Sequence, residues 1–88
     1  VSLTAVEQFI SSVYPGFLHA VIAEPDSKKG EQLILFTNCP SITRLRLIAS
    51  AKEQGQHEFF VPKKITILEK LPVLGTGKID YVSLNILN

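Results

Sequence analysis

Apolar residues recur at Val6, Phe9, Ile10 and Val13, a spacing of i, i+3, i+4 and i+7 that places them on one face of a helix. Thr4-Ala-Val-Glu7 has the form of a capping box, so the pattern predicts an amphipathic helix from about Ala5 to Val13, stopped by Pro15-Gly16. Phe17 to Ala23 (FLHAVIA) is apolar, rich in β-forming residues and too short for a helix, and reads as a strand. Glu24 to Gly30 (EPDSKKG) is turn chemistry throughout, and Glu31 to Thr37 (EQLILFT) is a second apolar strand, giving an antiparallel hairpin with a loose polar loop. After Asn38-Cys-Pro, Ser41 is placed to cap a helix running to about Gln54, with Gly55 as its stop. Ile42, Leu45, Ile48 and Ala49 share a face of that helix, Arg44 and Arg46 lie on different flanks, and Lys52 lays its stem along the last turn. Pro62 precedes a third strand, Lys63 to Glu69 (KKITILE), and Asp80 caps a last short helix carrying Tyr81, Leu84 and Leu87. The order αββαβα predicts an α+β domain, a small mixed three-stranded sheet packed with helices.

Composition narrows this picture. At 88 residues the chain is one domain, and 45% hydrophobic residues against 19% charged make it too apolar for a disordered tail. A net charge of +1 excludes a strongly basic nucleic-acid binder, so any electrostatic role comes from local placement. The longest uncharged, proline-free run near the start, Gly16 to Ala23, is far too short to span a bilayer, and the opening residues lack the pattern of a signal peptide. A chain that opens on Val1 within a helix approach reads as a piece of something longer, a fragment expected to be soluble. Cys39 stands alone, which leaves no intramolecular disulfide and no paired-cysteine zinc module. His19 and His57 fall in no metal-ligand spacing and no Ser lies in GxSxG, so neither a metal site nor a nucleophile triad is expected.

The informative stretch is Leu71-Pro72-Val73-Leu74-Gly75-Thr76-Gly77-Lys78-Ile79-Asp80. A phosphate-binding P-loop needs Gly where Pro72 stands and Ser or Thr where Ile79 stands, and is excluded. What remains is a lysine at the end of a flexible loop with two glycines, just ahead of a helix. A cation there opposes the helix dipole, so its position makes sense if an anion arrives from elsewhere.

Pro72 to Asp80, with Val61-Pro62-Lys63-Lys64-Ile65 before it and Leu84 after it, resembles the C-terminal subdomain of the adenylate-forming enzymes, which include acyl-CoA synthetases, nonribosomal-peptide adenylation domains and luciferases. The resemblance covers the entire chain. Within the family, the opening Val1-Ser2-Leu3, the Asp-Ser-x-Lys-Gly turn and LPVLGTGK are most similar to the synthetase part of bacterial bifunctional 2-acylglycerophosphoethanolamine acyltransferase/acyl-[acyl-carrier-protein] synthetases. The resemblance implies that Lys78 is the adenylation lysine, reaching into a larger N-terminal domain of the same polypeptide to meet the substrate carboxylate and the α-phosphate side of ATP. Gly75, Thr76, Gly77 and Asp80 then support it. ATP and magnesium are expected mainly on that N-terminal domain. The lid swings from an adenylating pose to one that admits the phosphopantetheine thiol of acyl carrier protein, or coenzyme A. The substrate implied is a fatty acid used to reacylate a lysophospholipid, with the full protein at the bacterial inner membrane and this part on its cytoplasmic side. Where the family motif carries Arg after Asp, this chain has Tyr81.

Lys63 and Lys64, helped by Lys28, Lys29 or Arg44, are candidate docking positions for an acidic carrier protein. The competing reading from another class is a non-catalytic module that uses Lys28, Lys29, Lys63 and Lys64 to bind an acidic partner, and there Lys78 is dispensable.

Overall fold

The computed structural model describes residues 2–26, 28 and 30–87. In chain order the elements are α1 (Leu3–Val13), β1 (His19–Asp26), β2 (Gly30–Thr37), α2 (Arg44–Glu53), a 3-10 turn (Glu58–Phe60), β3 (Lys64–Ile67) and α3 (Tyr81–Leu87). The sheet runs β1-β2-β3, with β1 antiparallel and β3 parallel to the central β2, so the α+β class, the mixed sheet and the αββαβα order hold.

The β1–β2 register explains why neither strand shows polar alternation. Val21 pairs with Leu35 on one face, while Ala20 with Phe36 and Ile22 with Ile34 face the other. The first face meets Val6, Phe9 and Ile10 of α1, Leu47 and Ala51 of α2, and Val61 in one buried cluster. The second meets Leu71 and Leu84 in another. Strands covered on both sides read as continuous apolar runs, as AVI (residues 20–22) and LILF (residues 33–36) do, whereas Phe17 and Leu18 lie ahead of β1 and are exposed.

Several boundaries differ from the sequence expectation, each for a local reason. Ser2, not Thr4, caps α1, its hydroxyl accepting from the Ala5 amide at 3.2 Å. Glu7 is therefore released from a capping box and serves elsewhere. The hairpin is tighter than expected, because pairing continues through Glu24↔Gln32 and Pro25↔Glu31 to Asp26↔Gly30. Pro25 fits within a strand because β1 is an edge strand. Thr43 rather than Ser41 caps α2, accepting from the Arg46 amide at 3.3 Å, and Gln54 ends it ahead of Gly55 as expected. The buried face is Leu47 and Ala51, one turn apart, with Ile48 partly packed beside them, leaving Leu45 80% exposed and Ala49 and Lys52 exposed. Strand β3 is shorter than expected at both ends, pairing only over Lys64–Ile67.

A buried polar chain ties the start of β1 to the end of β2. The Tyr14 carbonyl can only accept, so His19 Nε2 carries the proton and donates to it at 2.9 Å. Nδ1 then accepts from the Thr37 hydroxyl at 2.9 Å, and Thr37 Oγ1 accepts from the Cys39 amide at 3.1 Å. Thr37→Val preserves shape but leaves Nδ1 and the Cys39 amide unpartnered in the interior. A loss of about 1 to 3 kcal/mol in unfolding free energy is expected by urea denaturation.

Candidate functional site

The segment from Pro72 to Asp80 is a closed hairpin. Val73 and Ile79 form an antiparallel bridge, the Leu74 amide donates to the Lys78 carbonyl at 2.7 Å, and the Gly77 amide donates to the Leu74 carbonyl at 2.8 Å. These bonds, with Gly77 at φ +89°, describe a three-residue loop, Gly75-Thr76-Gly77, whose last residue takes the left-handed conformation of a bulge. Lys78 follows the bulge directly. The loop is thus an ordered turn, in contrast to the flexible one expected from its two glycines.

The base of the hairpin is fixed on both sides. Ile79 packs on the second cluster beside Leu71. The Asp80 amide donates to the Pro72 carbonyl at 3.0 Å. The Asp80 carboxylate caps α3, Oδ1 accepting from the Ser83 amide at 3.1 Å and Oδ2 from the Ser83 hydroxyl at 2.8 Å. The Ser83 hydroxyl first, then its amide, hold the Asp80 carboxyl below the usual carboxylate range. Asp80 is therefore the cap expected, and it gives α3 the negative charge that its first turn otherwise lacks.

Lys78 is exposed, and no other described residue hydrogen-bonds or ion-pairs with its ammonium. Thr76 is exposed beside it. Among the described residues no group of three or more His, Cys, Asp or Glu gathers to hold a metal. One unpaired ammonium on a fixed turn suits contact with a phosphate or carboxylate oxygen, and these residues by themselves do not suit a magnesium site.

The remaining basic candidates are spread out. Arg44 and Lys63 line one groove with Glu31, Glu58, Phe59 and Val61, so that groove is mixed in charge. Arg44 Nε donates to the Pro62 carbonyl at 3.0 Å, which fixes its guanidinium. Lys64 is exposed at the start of β3 and Lys28 at the β1–β2 turn, while Lys29 lies outside the described residues.

A contact between Glu7 and Tyr81, which the local patterns did not predict, bears on the hairpin. Glu7 Oε2 accepts from the Val21 amide at 2.8 Å and from the Tyr81 hydroxyl at 2.6 Å. Burial first, then the Glu7 carboxylate, push the Tyr81 hydroxyl up to about 12. Glu7 and Tyr81 are 74 positions apart, beyond the reach of any periodicity, and a long-range contact of this kind leaves no local signal.

No protein-family model matches the chain. The 2-succinylbenzoate–CoA ligase of Listeria monocytogenes serotype 4b (strain F2365) is 38% identical over 81 residues, a match that covers 88% of this chain and 16% of that protein. Among solved structures, the fatty acyl CoA synthetase of Mycobacterium tuberculosis aligns with a TM-score of 0.76 at 27% identity, over 93% of this chain and 16% of that one. ATP-bound MatB from Rhodopseudomonas palustris aligns at 0.78 and 23% identity, over 99% and 18%. The amide bond synthetase McbA from Marinactinospora thermotolerans aligns at 0.79 and 22% identity, also over 99% and 18%. The chain has the C-terminal domain fold of the adenylate-forming superfamily. It spans 16% of the length of the curated relative that it matches. Among the described residues of this adenylate-forming domain no helix is long and apolar enough to cross a membrane.

Within the adenylate-forming fold the two loop glycines are not equivalent. A Cβ at either would meet nothing within 4 Å, but only Gly77 has a positive φ. Gly77→Ala is expected to destabilise the domain by about 1 to 2 kcal/mol, and Gly75→Ala to stay within about 0.5 kcal/mol, by thermal or urea unfolding. Similar losses from both would contradict the bulge.

Proposed function

We propose that residues 1–88 are the mobile lid of a longer ATP-dependent fatty acyl ligase, and that Lys78 is its adenylation lysine. The observation that carries this reading is the exposed, unpaired ammonium of Lys78 on an ordered hairpin in a domain of this fold. In the adenylating pose Lys78 would lie against the carboxylate and the α-phosphate side of ATP, where charge spreads over several oxygens as the acyl-adenylate forms. A compact ammonium with three donors suits that distribution. Hairpin anchoring through Asp80 and Ile79 fixes the backbone from which the ammonium projects, which is the positional part of catalysis. ATP and magnesium are assigned to the N-terminal domain on the family resemblance.

The acceptor we propose is the phosphopantetheine thiol of acyl carrier protein, with lysophospholipid reacylation as the use of the product, on the motif likeness of LPVLGTGK and the Asp-Ser-x-Lys-Gly turn. Exposed Lys63 and Lys64 support an acidic docking partner. Coenzyme A is the second reading, favoured by the name of the Listeria relative.

Lys78→Ala in the complete ligase is expected to lower acyl-adenylate formation by about 10² to 10³, read by ATP–pyrophosphate exchange. Transfer from supplied acyl-adenylate to the thiol is expected to survive, because the lid has then turned away. An unaffected exchange rate would remove Lys78 from the reaction. Reversing Lys63 and Lys64 to Glu is expected to raise KM for carrier protein and flatten its salt dependence. Turnover with coenzyme A but none with carrier protein would decide for the second acceptor.

A further inference from the structure

Helix α3, which follows the Lys78 hairpin through Asp80, is too short to hold its own orientation. It has seven residues, of which Leu84 alone is buried, while Val82, Ile86 and Leu87 are 73%, 80% and 61% exposed. A helix of this length has little stability of its own, and one buried side chain leaves rotation about that anchor open. The second anchor is the Tyr81 hydroxyl, 2.6 Å from Glu7 Oε2.

That bond spans the layers of the domain. Glu7 belongs to α1, which packs on the Val21–Leu35 face, and Leu84 of α3 packs on the Ile22–Ile34 face. The two helices are joined around the outer edge of β1, and the same carboxylate oxygen takes the outward Val21 amide at 2.8 Å. Glu7 is thus tied to the sheet backbone, and Tyr81 is tied to Glu7. Asp80, adjacent to Tyr81, bonds the other leg of the hairpin at Pro72.

We propose that the Glu7–Tyr81 hydrogen bond is a strap that positions Lys78, with Tyr81 and Glu7 acting as positioning residues for the adenylation half-reaction. This rests on the assignment of Lys78 given above. With the strap intact, a second path from sheet to hairpin, through Val21, Glu7, Tyr81 and Asp80, adds to the packing of Ile79. Without it, α3 is free to turn about Leu84 and to pull on Asp80, where the helix joins the hairpin, so that only Ile79 and the Pro72 carbonyl hold the base and the ammonium beyond it shifts. The reaction is sensitive to displacements of about 1 Å at such a group, so a modest bond within the domain has a large reading at the site.

The test uses the complete ligase with Tyr81→Phe, Glu7→Ala and Glu7→Gln, and Lys78→Ala in parallel. Tyr81→Phe and Glu7→Ala are each expected to lower the adenylation kcat about tenfold, and the double variant to be no worse than the worse single one. Glu7→Gln keeps an oxygen that can accept both bonds and is expected to stay within about twofold of the parent. Transfer from supplied acyl-adenylate is expected to change less than about twofold in all three, which a merely structural role would not produce.

Normal adenylation by Tyr81→Phe with Lys78→Ala crippled overturns the strap and leaves the lysine assignment standing. Unchanged adenylation by Lys78→Ala removes the assignment itself. Equal losses in both half-reactions reduce the contact to fold stability and overturn the proposal. Should Tyr81→Phe not accumulate as folded protein, the two Glu7 variants decide: loss with Ala and retention with Gln supports the strap, and equal loss refutes it.

Discussion

The β1–β2 pair is covered on both faces, and that pairing sets the positions of the helices. Because successive side chains point to opposite sides of a strand, one register assigns Val21 and Leu35 to one core and Ala20, Ile22, Ile34 and Phe36 to the other. A slip of one residue would exchange the two sets and expose neither helix layer to its own apolar partners. With α1 and α2 on one side and α3 on the other, the elements flanking the sheet meet only around its edges.

That geometry gives the edges special importance. The open side of β1 is treated with Pro25, which has no amide to offer, and with Glu7, which takes the Val21 amide. Covering an edge in this way removes a template for unwanted strand pairing. In this domain the covering group also reaches Tyr81, so edge protection and the attachment of α3 share one carboxylate oxygen.

Under the proposed function, the chemistry contributed by the domain reduces to one ammonium, and the rest of the chain is a mount for it. A mount that moves between two poses works if it is stiff within itself, because the position of the charge after each swing is then set by the hinge and the docking surface. The Lys78 hairpin meets this requirement through backbone bonds at Leu74, Gly77 and Asp80 and through the packing of Ile79.

Much of this was legible along the chain. Helical spacing marked α1, the turn residues marked the hairpin, Asp80 marked the start of α3, and the Gly-Thr-Gly-Lys segment marked the candidate site. These are local features, in which neighbours within four or five positions decide the outcome. The errors fell where two local solutions competed. Ser2 and Thr4 can each cap α1, Ser41 and Thr43 can each cap α2, and the tertiary packing of Val6 and Leu47 chose between them. The rigidity of the Lys78 turn could not be read from its glycines, since the bonds to Pro72 and Leu74 depend on both legs leaving the second core together. Nor could the use of Glu7. Spacing determined which elements form and placed Lys78 at the end of a two-glycine loop, and the family resemblance set it apart from the other exposed lysines. Only the folded sheet, by bringing Glu7, Val21 and Tyr81 to one edge, decided how α3 is attached, because hydrogen bonds between distant residues exist only once packing has placed them within reach.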